Sequence, residues 1–135
     1  SKAGVPVFVM MAPIIPGLND HEILSLVKTV AACGALGVGH TMVRLNGDVA
    51  VIFEDWIKKT MPDRADKVLN QIRDTHGGSL AESRFGRRMR GEGNFAEIIH
   101  QQFRVAKEKF LKGRKMPDYN LGLHEHYKSP QLRLF

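Results

Sequence analysis

Residues 9–22, Val-Met-Met-Ala-Pro-Ile-Ile-Pro-Gly-Leu-Asn-Asp-His-Glu, run an apolar strand straight into a rigid turn and a helix start, and no other stretch constrains the fold as tightly. Pro13 and Pro16 fix φ and remove backbone donors, so the strand is expected not to continue through them. Gly17 lets the backbone pass close to whatever sits at the strand end. Asn19 is a fitting N-cap with Glu22 three positions on, close to capping-box spacing. Ile23, Leu26, Val27, Val30 and Ala31 then share one helical face until Gly34 stops the helix. A β-rich run from Val38 to Leu45 follows. Strand, helix, strand in this order predicts a right-handed βαβ unit with parallel strands, an α/β fold.

The remainder of the chain has helical periodicity. Asp48 can cap a helix whose apolar positions are Val51, Ile52, Trp56 and Ile57, with Phe53-Glu54-Asp55 at the edge of the buried face. Pro62 and Asp63 begin another, carrying Ala65, Val68, Leu69 and Ile72 until Gly77-Gly78. A longer helix is expected from Asn94, with Glu97 at the capping-box position and Ile98, Ile99, Phe103, Ala106 and Phe110 as its stripe. Periodicity is lost after Gly113. The tail from Lys115 to Phe135 holds Pro117, Gly122 and Pro130 and is expected to be extended. The organisation read from the chain is therefore 1–60 as the strand-helix-strand part, 61–112 as a helical extension and 113–135 as a flexible tail.

With 135 residues and 43% apolar content there is material for one modest core. No apolar run is long enough to span a bilayer and no signal-peptide pattern opens the chain, so no membrane partner is expected. The single cysteine cannot form an internal disulfide, which fits a reducing cytoplasm. The formal net charge is +6, with the excess concentrated after Arg84. Such a balance suggests a polyanionic partner, the alternative being a solvated basic face without a ligand.

Several of these segments together carry a resemblance. Pro13-Ile14-Ile15-Pro16-Gly17-Leu18-Asn19-Asp20 resembles the fifth-strand motif G-x-I-x-G-x-x-E of radical S-adenosylmethionine (radical SAM) enzymes. Ile15 and Gly17 match, while Pro13 stands in place of Gly and Asp20 in place of Glu. Taken with Arg44-Leu45-Asn46-Gly47, Phe53-Glu54-Asp55-Trp56 and Ser83 to Gly93, the chain resembles a radical SAM group related to spore photoproduct lyase, the DNA repair photolyase-like enzymes. The resemblance covers residues 4 to about 111. It implies the C-terminal portion of a partial (β/α) barrel, in which the ends of strands carry the chemistry. It also implies cofactor-binding roles for the stretch from Ala12 to Gly17, with Ile15 packing on the adenine and Gly17 allowing close approach. Arg44 and Asn46 end the second strand on the same rim and could meet the cofactor's carboxylate or ribose; for Arg44, a structural pair with a nearby acid is the alternative.

The family's [4Fe–4S] cluster sits on three cysteines in a C-x-x-x-C-x-x-C loop, and a cluster needs several thiolates. Here Cys33 stands alone on the first helix, where it is expected to be a small core residue. Ser1-Lys2-Ala3-Gly4 reads like the end of a helix leading into a strand. The chain is thus expected to be the C-terminal part of a longer bacterial enzyme, with S-adenosylmethionine and the cluster belonging to the whole and neither bound by the fragment alone.

Two further segments suggest partners. Arg84, Arg87, Arg88 and Arg90 are interleaved with Phe85, Met89 and glycines, and guanidinium groups fit phosphates bidentately and stack on bases. That points to a nucleic-acid backbone; the competing explanation is that these arginines tie the last helix down through carboxylates such as Asp55 or Asp63. Gln131-Leu132-Arg133-Leu134-Phe135 resembles the pentapeptide by which bacterial DNA polymerases and repair proteins dock on the sliding clamp, with Arg133 departing from it. Gln131, Leu132, Leu134 and Phe135 would be the anchors, unless the apolar three fold back on the core. His124-Glu125-His126 lacks further ligands at fixed spacing and is read as a polar tail, and His21, His40, His76 and His100 are scattered, so no metal site is expected.

The function expected on these grounds is that of a radical SAM enzyme acting on nucleic acid, DNA before RNA, with lesion repair in view. The resemblance implies hydrogen abstraction by a 5′-deoxyadenosyl radical in the full-length enzyme. The alternatives are a radical SAM enzyme acting on RNA or protein, and a noncatalytic module that binds nucleic acid or the sliding clamp.

Overall fold

The computed structural model describes residues 1–81, 89–122 and 124. Two parallel strands, β1 (Phe8–Ile14) and β2 (Gly37–Met42), are joined by helix α1 (Ile23–Ala32), and helices α2 (Asp48–Thr60), α3 (Pro62–Thr75) and α4 (Gly93–Phe110) follow. The expected βαβ unit is present, and the fold is mixed α/β with a two-stranded parallel sheet. Phe8 pairs with Gly37, Met10 with Gly39 and Met11 with His40 before the register shifts between Met11 and Ile14. Among the described residues no helix is long and apolar enough to cross a membrane.

β1 continues through Pro13 to Ile14, where the sequence suggested a stop. Pro13 falls in the irregular stretch of the register, so its missing N–H breaks no ladder bond. β2 is shorter than the β-rich run: it ends at Met42, although Val43 N–H still donates to the Ile14 carbonyl at 2.8 Å. The backbone then turns away and takes Val43 and Leu45 into a different core.

The described residues form two such cores. In the first, Met11, Ile14, Val38 and Met42 from one sheet face pack on Ile23, Val27 and Ala31 of α1 and on Ile99, Phe103 and Ala106 of α4. In the second, Val43, Leu45 and Ile57 pack on Ala65, Val68, Leu69 and Ile72, the α3 stripe that the sequence predicts. The same prediction fails for α2, where only Ile57 is buried and Val51, Ile52 and Trp56 are exposed. Among the described helices α2 packs chiefly on α3, which covers only a narrow stripe of a helix with apolar residues around much of its girth.

The helix ends also depart from the expected caps. Asn19 precedes a short 3-10 turn, Asp20–Glu22, and its side chain makes no capping bond. α4 begins at Gly93 with Glu92 at the N-cap position and no side-chain cap. Cys33 is exposed at the C-terminus of α1, not packed in the core. There the chain closes with Gly34 N–H donating to the Ala31 carbonyl and Ala35 N–H to that of Val30, both at 3.0 Å, the paired bonds of a Schellman ending. Arg114 adds its guanidinium to the carbonyls of Ala31 at 2.8 Å and Ala35 at 2.7 Å, a cation on the negative end of the helix that fastens the start of the tail.

Candidate functional site

The turn after β1 is built by Asn19. Its Oδ1 accepts from the Ile15 N–H at 2.7 Å and its Nδ2 donates to the Pro13 carbonyl at 3.1 Å, while Leu18 and Asn19 N–H groups both donate to the Ile15 carbonyl. The side chain that a capping-box reading assigns to the helix is spent on holding the strand end. Gly17 has φ +72°, and a Cβ there would overlap Oε1 of Gln71. The Gly17 carbonyl accepts from Arg64 Nη2 at 2.8 Å. The close approach that Gly17 permits is therefore made by α3. Gln71 Oε1 is buried there without a hydrogen-bond partner. Ile15 is half-buried against the second core.

Ala12, Arg44 and Asn46 are exposed. Arg44 and Asn46 follow the end of β2, beside the end of β1, and among the described residues neither side chain has a hydrogen bond or ion pair, so the acid expected as an alternative partner for Arg44 is not seen. The structure thus separates the five residues of the expected cofactor site: Ile15 and Gly17 lean on α3, while Ala12, Arg44 and Asn46 remain open at the C-terminal strand ends. Cys33, at the far end of α1, lies by topology at the opposite end of the sheet. One exposed cysteine there does not fit an iron–sulfur cluster, which needs several thiolates converging on one point.

Among the described residues nothing covers the sheet face away from α1 and α4. Phe8 is 50% exposed and Met10 57%, and both lie over the β2 glycines: a Cβ on Gly37 would meet the Phe8 ring at 2.8 Å, and one on Gly39 would meet Phe8 and Met10 at 3.0 and 3.1 Å. Both outer edges of the two-stranded sheet are unpaired among the described residues.

Of the arginine-rich segment, Arg84, Arg87 and Arg88 lie outside the described residues, as do Gln131, Leu132, Leu134 and Phe135 of the C-terminal pentapeptide and Glu125 and His126 of the histidine pair. Arg90 is exposed in a loop whose Met89 carbonyl accepts from Met42 N–H at 3.0 Å. It makes no ion pair with Asp55, which is held by Lys59 at 2.8 Å. The glycine after this loop has a packing role: at Gly93, with φ +84°, a Cβ would lie 2.9 Å from the Asp74 carbonyl oxygen.

Two histidines that look unrelated along the chain meet in space. His40 Nε2 lies 2.9 Å from His100 Nδ1, and the His40 ring stacks on Phe103 with centroids 3.9 Å apart and planes 3° off parallel. Burial, then the positive surroundings of His100, Lys107 and Arg90, push the His40 pKa down to about 4. Nothing in the spacing of residues 40 and 100 signals this pair, because it depends on α4 folding back across β2. His76 is buried, its Nε2 bonded to the Val43 carbonyl and its Nδ1 without a partner. Among the described residues no group of three or more His, Cys, Asp or Glu side chains could hold a metal ion.

No family model matches this chain, and neither a curated protein nor a solved structure matches it.

Proposed function

We propose that this chain is the C-terminal part of a radical SAM enzyme acting on nucleic acid, its bare sheet face turned toward the interior of a barrel completed by further strands. The observation that carries the reading is the bare face itself. Parallel strands are found almost only in sheets covered on both faces, and here one face exposes Phe8 and Met10 while both edges lack a partner strand among the described residues. The resemblance of Pro13 to Asp20 to the radical SAM strand motif, at the end of that face, supports the choice of enzyme class. The exposure of Ala12, Arg44 and Asn46 beside the strand ends supports a cofactor site there, in which Arg44 and Asn46 would hold the carboxylate or ribose of S-adenosylmethionine, Arg44 through a charge-assisted contact. Bound S-adenosylmethionine would be the source of a hydrogen-abstracting radical once a one-electron donor from outside this chain cleaves it; the part of this chain is to hold and orient it. The residues present do not fit the iron–sulfur cluster, so its ligands must come from elsewhere in a longer protein. The basic balance of the chain supports a polyanionic substrate such as DNA.

Titration calorimetry with S-adenosylmethionine on this chain, and on a longer protein carrying the cluster, tests the reading. The longer protein should bind the cofactor, and Arg44→Ala in it should weaken binding; the 135-residue chain should bind weakly or not at all. Equal, tight binding by both would move the pocket away from the completed barrel.

A further inference from the structure

We propose that His40, His100, Arg90 and Lys107 form a binding site for a phosphate group, borne either by a nucleic-acid backbone or free in solution. The site lies where α4 packs across β2, and it does not rest on the radical SAM assignment. The two imidazoles are joined at 2.9 Å through one nitrogen of each ring, leaving His40 Nδ1 and His100 Nε2 available; neither is a buried, unpartnered atom. Stacking on Phe103 fixes the His40 ring plane. Lys107 sits one helical turn beyond Phe103, whose ring stacks on His40, and Arg90 follows Met89, whose carbonyl accepts from Met42 N–H, so two separate elements bring a cation to the side of the pair.

The charges decide the class of ligand. The groups that act on His40 are His100 and Lys107 from α4 and Arg90 from the 89–92 loop, all of them neutral or cationic. β1 contributes no titratable side chain, and Glu92, the acid of that loop, has a partner of its own. Neither Arg90 nor Lys107 has a carboxylate partner among the described residues. A metal ion would be repelled by two fixed cations and would find only two imidazoles. A phosphate can accept from Arg90, from Lys107 and, once the histidine pair takes up a proton, from both free ring nitrogens, and it offsets their mutual repulsion. The same repulsion and burial hold His40 neutral, so an anion seated here should let it take up a proton, and binding should tighten as the pH falls through the raised midpoint.

Histidine ring-proton NMR on the full chain reads this directly, since His21 and His124 are exposed and serve as controls. Replacing chloride by inorganic phosphate at constant ionic strength should raise the His40 midpoint by about one pH unit, equivalent to about tenfold tighter phosphate binding by the protonated form, and leave the controls in place. Arg90→Gln with Lys107→Gln should abolish the shift. A single-stranded oligodeoxynucleotide producing the same shift at far lower concentration than phosphate identifies a backbone phosphate; a shift with inorganic phosphate alone identifies a free one. The site is overturned if neither ligand moves His40, if the shift survives the double substitution, or if zinc chloride perturbs both histidines while phosphate does not. Oligonucleotide binding by fluorescence anisotropy without a His40 shift overturns the site yet leaves a nucleic-acid partner standing. A phosphate shift without oligonucleotide binding upholds the site and removes that partner.

Discussion

The two faces of the small sheet have opposite fates. Met11, Ile14, Val38 and Met42 are buried beneath α1 and α4, whereas Phe8 and Met10, one residue out of phase on the same strand, meet solvent over a pair of glycines. Alternation along a strand puts both sets there automatically. What differs is the cover: two helices on one side and, among the described residues, nothing on the other. A strand that is apolar on both faces is the composition of a sheet buried on both sides, and the proposed barrel would supply the missing cover.

The largest effect expected from this contrast is in stability. Phe103→Ala removes a ring that is 1% exposed and stacked on His40, and should cost about 3–5 kcal/mol in urea denaturation. Phe8→Ala, the same chemical change on the bare face, should cost less than about 1 kcal/mol. Comparable losses would mean that the bare face is covered in solution. The next effect concerns the strand end. Gly17→Ala forces a side chain into a positive φ and onto Gln71, and should cost about 2 kcal/mol, part of it recovered when Gln71→Ser clears the space. Full additivity of the two changes would show that the backbone conformation alone is at stake.

A smaller effect is a pH dependence on the closed side. The folded-state pKa of His40 lies near 4, below its ordinary 6.5, so between those values the unfolded chain binds more protons than the folded one. Stability is then complete above about pH 6.5 and falls as the pH drops toward 4. Because the ring is partly open to solvent, the loss should be about 1 kcal/mol. Thermal melts from pH 7 to pH 4 should show it, and His40→Gln should flatten that part of the profile.

How far the sequence revealed this arrangement follows from the range of the forces involved. The βαβ order, the stop near Gly34 and the α3 stripe were legible because each is decided by residues within a turn or two of one another. The α2 face was not: Val51, Ile52 and Trp56 have the right period for burial, but whether a neighbour covers them depends on the distant path of the chain. Asn19 shows a finer limit, since an N-cap and a strand-end staple ask for the same short side chain with a carbonyl oxygen, and only the three-dimensional turn decides which donor it meets. The candidate rim was half legible. Arg44 and Asn46 are open where expected, while the reason for Gly17 is Gln71, fifty-four residues later in the chain. The His40–His100 pair was invisible for the same reason.

The most direct test asks whether further strands cover the bare face, as the proposed barrel requires. Met10→Cys, introduced with Cys33→Ser so that the one native thiol does not react, places a single thiol at the centre of that face. In the 135-residue chain it should react rapidly with a maleimide. In a longer enzyme whose further strands complete a barrel it should be protected at least tenfold, a factor corresponding to about 1.4 kcal/mol in the opening equilibrium. Equal reactivity in the two proteins would contradict the account and leave this sheet face a free surface.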